Sequence, residues 1–352
     1  MDIIKILEMC VQYNASDVHL LVGIPPMLRL HGKLLTVPDS KAMTPAQVEE
    51  MTNAIMSDQQ KELLKVDREL DFSYSLPNGA RFRVNVYYEK GNVGAALRYI
   101  PANIMTLEEL HLPTIIGQLT EMKQGLVLVT GPTGHGKSTT IAAMIQRINQ
   151  NRSEHIVTIE DPVEYVHLPI KSIISQRELH ADTHSWNVAL KSVLREDPNV
   201  VLVGEMRDYE TIEAAITIAE TGHLVLATLH TNSAAQTIDR IIDVFPEKEQ
   251  QQIRGQLSLS LEAVIAQRLI PSTDGARVAV AEVLIATPAV RSLIRDGKSH
   301  MLTNVMQTST EAGMRTLDMA LVEAYRGGKI SLSTARDYAL NVEEVNRLVG
   351  SK

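Results

Sequence analysis

The chain has 352 residues but only one cysteine, one tryptophan and three phenylalanines. A lone thiol, Cys10, excludes an internal disulfide framework and leaves no C-x-x-C pair for zinc, which fits a reducing compartment. Basic charge is also in short supply, with 34 Lys and Arg against 42 Asp and Glu and a formal net charge of −8. No block of basic residues with interleaved aromatics occurs, and RFR at 81–83 is too small a cluster for a nucleic-acid groove, so no nucleic-acid partner is expected. No apolar run approaches 18 residues. The first stretch, MDIIKILEMCVQYNAS, lacks the basic start and long apolar core of a secretory leader, and a cytoplasmic protein is expected. With 44% hydrophobic and 22% charged residues, the composition supports two packed domains with ample core.

What the sequence does have is GPTGHGKSTT at 131–140, preceded by GLVLVT and followed by IAAMIQRI. The pattern G-x-x-x-x-G-K-[ST] is met by Gly131, Gly136, Lys137 and Ser138, and it lies between a strand-like apolar run and a helical pattern. A glycine-rich loop turns successive backbone N–H groups around phosphate oxygens, and the helix start adds positive dipole. Lys137 is expected to reach the terminal phosphates and Ser138 to offer a hydroxyl to Mg2+. Residues Gly131, Pro132, Thr133, Gly134, His135, Gly136, Lys137, Ser138 and Thr139 therefore form the expected ATP-binding segment.

The chain changes character between Pro101 and Pro113. Upstream, Ile3, Ile4, Ile6, Leu7, Cys10 and Val11 mark an amphipathic helix, Thr44-Pro45-x-Gln47 is a capping box, and short strands surround them. In RFRVNVY, Phe82, Val84 and Val86 fall on one face and Arg81, Arg83 and Asn85 on the other. Arg98, between Leu97 and Tyr99, joins that polar face, which reads either as an ordinary solvated surface or as a functional one. Downstream, LVLVT, HIVTIE, VVLVG and LVLATL alternate with helices, the pattern of a largely parallel sheet covered on both sides. Ligands of such sheets sit at the carboxyl ends of the strands. Three of those ends carry polar residues: Glu164 in EDPVE, Glu205 after VVLVG, and His230 after LVLATL. Hydrolysis needs a metal ligand, a positioned water and charge relief. Glu205 is expected to hold Mg2+, Glu164 to polarise the water and His230 to orient the γ-phosphate, although either carboxylate fits either role.

Taken together, these segments resemble the retraction ATPases of type IV pili, the PilT class of the secretion ATPase superfamily. NASDVHLLVGIPPMLRLHGKL is similar to the N-terminal signature, and RFRVNVY with LRYIP to the end of that domain. GPTGHGKSTT corresponds to the phosphate loop, VTIEDPVEY to the Asp box, LREDPNVVLVGEMRD to the Walker B region and TGHLVLATLHTNSA to the His box. TPAVRSLIRDGKSH resembles the family's retraction segment. The resemblance implies an α/β chain: a PAS-like α+β domain over 1–100, a linker over 101–113, and a RecA-like domain with a C-terminal helical region over 114–352. It also implies a homohexamer in which Arg81 and Arg98 act on the nucleotide of a neighbouring copy. Expected partners are an inner-membrane pilus platform protein and, as an alternative, a paralogous pilus ATPase, with the ring at the cytoplasmic face of the inner membrane. Ala289, Val290, Arg291 and Leu293 would couple hydrolysis to motion. Extension ATPases of the superfamily are longer and often carry a four-cysteine zinc motif absent here, so retraction of pili in twitching motility is favoured, with an accessory, PilU-like retraction ATPase as the alternative. A nucleic-acid motor and a nucleotide-gated scaffold are the readings from other classes. The first is disfavoured by net acidity and the second by the full set of Lys137, Glu164, Glu205 and His230.

Three departures carry expectations of their own. His135 stands where the family usually has Ser, and its side chain is expected to point outward. Val290 replaces Ile, and Ala181 occupies a position where a basic residue is common. His180 and His184 have the spacing of helical metal ligands, without a following carboxylate in a known pattern.

Overall fold

A computed structural model describes residues 2–30, 32–100 and 103–350 of the chain. The chain divides into two compact units, Met1–Asn103 with Pro162–Val166, and Ile104–Asp161 with His167–Lys352. Of the expected linker, residues 101 and 102 lie outside the described residues. Leu107 and Leu112 are buried in the core of the second unit.

The first unit is built on a six-stranded antiparallel sheet. Its strands are β1 (Asp17–Leu20), β2 (Met27–Leu30), β3 (Lys33–Thr36), β4 (Glu69–Ser75), β5 (Arg81–Glu89) and β6 (Asn92–Ile100), in the order β3-β2-β1-β6-β5-β4. Alternation sets its two faces: Phe82, Val84 and Val86 are fully buried while Arg81, Arg83 and Asn85 are half-buried. Helix Ile3–Gln12, capped by the Asp2 carboxylate, contributes Ile3, Ile6, Leu7 and Cys10 to the core. Burial pushes the Cys10 thiol up to about 12, so it is an inert packing group. The capping box at Thr44 forms, with Gln47 returning a bond to the Thr44 N–H.

The second unit carries a seven-stranded sheet made of β7 (Gly125–Thr130), β8 (His155–Glu160), β9 (Ile173–Glu178), β10 (Val200–Val203), β11 (Leu224–Leu229), β12 (Leu261–Pro271) and β13 (Arg277–Ile285). The order is β13-β12-β7-β11-β10-β8-β9, all parallel except the β12–β13 hairpin. β7, β10 and β11 are buried at every position, because helices cover both faces and each face has its own apolar cluster. This is the RecA-like half of a mixed α/β chain, and an antiparallel unit precedes it. β12 joins β7 with a bulge at Glu262, between the paired residues Leu261 and Ala263. The C-terminal helices Leu317–Arg326, Leu332–Asp337 and Val342–Gly350 pack with Ile270, Val278 and Val280 of the hairpin. Within this arrangement the buried Glu282 carboxylate of β13 accepts the first N–H of two helices, Ala234 at 2.7 Å and Leu317 at 3.2 Å. It thereby fixes the start of the helix that follows His230. No helix among the described residues is long and apolar enough to cross a membrane.

Candidate nucleotide site

β7 ends at Thr130, the glycine-rich segment turns over 131–136, and helix Lys137–Asn151 begins without a side-chain cap. Its first-turn N–H groups are thus not taken by a capping side chain, as an anion site requires. Gly131 is dictated by β12 beneath it. Its φ is +141°, and a β-carbon there would lie 2.2 Å from the Gln267 carbonyl oxygen.

Lys137 is where the strand ends meet. Its Nζ donates to the carbonyl oxygens of Gly131 at 2.8 Å and Pro132 at 3.0 Å, and it lies 3.3 Å from His230 Nδ1. With Nδ1 accepting from the ammonium, the imidazole hydrogen belongs on Nε2, which sits 2.8 Å from Glu205 Oε1. Thr133 Oγ1 is 3.5 Å from the same Nδ1. So the loop after β7 and the ends of β10 and β11 each lead to one polar group, and the three form a chain Lys137–His230–Glu205. The second oxygen of Glu205 accepts from Arg207 at 2.7 Å. Burial works against charge on Glu205. The Arg207 hydrogen bond, the His230 N–H and the charges of Arg207 and Lys137 outweigh it and hold the carboxyl below the usual carboxylate range. Arg207 is a site neighbour that motif reading passed over, although it stands in the quoted GEMRD. Gly204, where an Asp is usual, is explained by packing: a β-carbon would lie 3.0 Å from the Ile159 carbonyl oxygen and 3.4 Å from the Trp186 ring.

Three of the expected site residues, Glu164, Arg81 and Arg98, belong to the first unit. Glu164 belongs to residues 162–166 of the first unit and is half-buried. In the same unit Arg81 donates to Ser73 Oγ at 2.8 Å. Arg98 lies directly across from Arg83 on the neighbouring strand, and its Nε meets Asp17 at 3.0 Å. Arg83 approaches Asp71 only to 3.9 Å. These three arginines therefore share one sheet face, as the alternation predicts.

Other expectations need correction. The His135 ring does not point outward. It lies against β12, where Nδ1 accepts the Leu269 N–H at 3.1 Å, and burial together with Arg268, Lys137 and Arg277 lowers its pKa. His180 and His184 are not on a helix. His180 has φ +67° in a tight turn in which Asp182 accepts the Glu178 N–H, and no cluster of three or more metal-ligating groups occurs among the described residues. Helix Pro288–Arg295 does form and buries Val290 and Ile294, with Leu293 partly buried and Ala289 exposed. Arg291 of the expected coupling segment has its guanidinium committed. It donates to the carbonyls of Ser258 and Leu259 at the end of a helix and to Glu262 at 2.9 Å.

Residues 2–283 match the family model described as Type II/IV secretion system protein. The chain is 47% identical over 339 residues to the Type IV pilus retractation ATPase PilT of Pseudomonas aeruginosa, covering 96% of this chain and 98% of that one. It is 42% identical over 350 residues to the Type IV pilus ATPase PilU of the same organism, covering 99% and 91%. Among solved structures, the crystal structure of the pilus retraction motor PilT with bound ADP matches with a TM-score of 0.92 at 44% identity, covering 99% of each chain.

Proposed function

The chain belongs to the Type II/IV secretion system protein family, in which it is an ATPase of the pilus-retraction kind, and we propose that it does this work as a homohexamer at the cytoplasmic face of the inner membrane, pulling on a platform protein. The observation that carries the chemistry is the Lys137–His230–Glu205 chain, which places an ammonium, an imidazole and a carboxylate beside the phosphate loop.

In this reading the 131–139 segment wraps the phosphates of ATP and Lys137 moves its three N–H bonds onto the terminal ones. Ser138 and Glu205 supply the hard oxygen donors that suit Mg2+. The ion, when bound, would offset phosphate charge and polarise the scissile bond. Glu205, held ionised by Arg207 and His230, is a good ligand and a weak base, so the water-polarising role falls to Glu164. His230 reports on the γ-phosphate because it is bonded at one nitrogen to Lys137 and at the other to Glu205. Arg81 and Arg98, with Arg83 as a third, act on the nucleotide of an adjacent copy, where a guanidinium offsets developing charge. Ala289, Val290, Arg291 and Leu293 form the coupling segment, with Arg291 linking it to Glu262 at the bulge of β12.

The 42% identity to PilU keeps an accessory retraction ATPase as the second reading. Deleting the gene tests both. A main retraction motor leaves cells hyperpiliated and without twitching motility, whereas an accessory one leaves motility that a paralogue sustains. Wild-type pili and motility in a strain lacking both this gene and its paralogue would overturn the proposal.

A further inference from the structure

The hairpin strand β12 touches the phosphate loop with more than its backbone. Gln267, 2% exposed, lies beneath the loop with both ends of its amide in use. Its Nε2 donates to the His135 carbonyl at 2.8 Å, 132 residues away in sequence, and its Oε1 accepts from the Thr140 hydroxyl at 2.6 Å. Two residues further along, on the same edge, the Leu269 N–H donates to His135 Nδ1 at 3.1 Å. A side-chain amide offers a donor and an acceptor on one planar group, which an ionised carboxylate or an apolar chain of this length does not.

A trans peptide is planar, and its C=O and the following N–H point in opposite directions. Holding the His135 carbonyl down toward β12 therefore turns the Gly136 N–H up and away from the strand, into the concavity of the loop. The same residue that closes the loop from below thus decides where one of its anion-binding amides points. We infer that Gln267 is a positioning residue for the nucleotide: its buried amide, with the Leu269 N–H beside it, aims the Gly136 amide at the phosphates by tethering His135 and Thr140. The inference rests on the nucleotide-site reading and goes beyond it, because Gln267 lies outside the phosphate-loop motif and contacts no reacting atom itself.

The test uses the full-length protein and ADP as the probe, with affinity read by calorimetric titration. Gln267→Met keeps the length and removes both bonds. Gln267→Glu keeps the shape and the acceptor but sets a carboxylate oxygen against the His135 carbonyl. Both are expected to bind ADP at least about tenfold more weakly, the loss that one well-placed hydrogen bond to charge produces. Protonating the introduced carboxylate restores an O–H donor, so affinity in Gln267→Glu is expected to recover as pH falls from 8.5 to 6. Recovery in protein whose circular dichroism is already native at pH 8.5 separates positioning from a purely structural role. Lys137→Ala serves as the parallel arm. If it binds ADP like wild type, the nucleotide-site reading itself fails. If it is impaired while folded Gln267→Met and Gln267→Glu bind normally at pH 8.5, only the positioning inference fails. Variants that stay unfolded even in saturating ADP would assign Gln267 to folding and overturn the inference as well.

Discussion

The two sheets of this protein put their polar groups in different places. In the first unit they run along one face: Arg81, Arg83 and Arg98 stand on neighbouring strands, opposite a face that carries Phe82, Val84 and Val86. In the second, β7, β10 and β11 have no polar face at all, and Lys137, Glu205 and His230 emerge only where the strands end. The difference follows from covering. An antiparallel sheet can leave one side open, whereas a parallel sheet is closed on both by its crossover helices, so chemistry is possible only at its edge. A polar face can meet another molecule over an area, while a strand end surrounds a small ligand.

The sharpest break of this comparison comes from the strand ends. Lys137→Ala is expected to reduce phosphate release from purified protein by about a thousandfold or more, since it removes the ammonium at the start of the helix that follows the phosphate loop. Glu205→Gln should cost roughly a hundredfold while the thermal transition stays within a few degrees. A Lys137→Ala protein that turns over at the wild-type rate would remove the strand-end chemistry altogether.

Next in size is the proposal that the polar face serves a neighbour's strand ends. Mixing Arg81→Ala subunits with Lys137→Ala subunits restores partial turnover if each supplies what the other lacks. Mixed rings that are seen by native mass spectrometry and still show no activity would confine the arginines to their own copy or to no role.

The units should also part company in acid. His167 of the second unit is buried, and burial lowers its pKa from 6.5 to about 4. A histidine whose folded value lies below its unfolded one supports the fold fully above pH 6.5, and that support is lost as pH falls from 6.5 to about 4. The span corresponds to about 3 kcal/mol. Urea unfolding followed by the single tryptophan, Trp186 of the second unit, should show that difference between wild type and His167→Gln closing over this window. In the first unit burial raises the Asp17 pKa, but the Ser16 hydroxyl and Arg98 guanidinium overcome it and set the value below 3.8. That support is therefore present above pH 3.8 and lost only below it.

The smallest effect is expected for Arg98→Ala, about 0.5 kcal/mol at neutral pH, because the guanidinium is 71% exposed and its pair with Asp17 is weak in water. A much larger loss would mean that the polar face is built for stability and not for contact.

The same contrast explains what could be read from residues alone. RFRVNVY gave up its faces because a one-sided sheet forces a period of two, and the strand ends could be found because apolar runs stop abruptly at Thr130, Val203 and Leu229. The loop's underside could not. Residues 263–266 of β12 are all apolar and buried, so nothing in them marks Gln267 as the next residue to meet the loop. His135 was expected to face outward for the same reason: its partner is a backbone amide far along the chain. Nor does the helical spacing of 288–295 show that the carbonyls of Ser258 and Leu259 lie across Arg291.

The bulge at Glu262 has a consequence for how this strand can change over generations. Residues 261 and 263 face the consecutive neighbours 126 and 127 on β7, so Glu262 is a surplus residue in the ladder. Loss of its codon would close the ladder with every later pair unchanged, leaving Gln267 under the phosphate loop and removing the carboxylate that Arg291 holds. Such a chain would keep its phosphate loop in place and lose the tie between β12 and helix Pro288–Arg295, so a deletion here is screened by what that helix does.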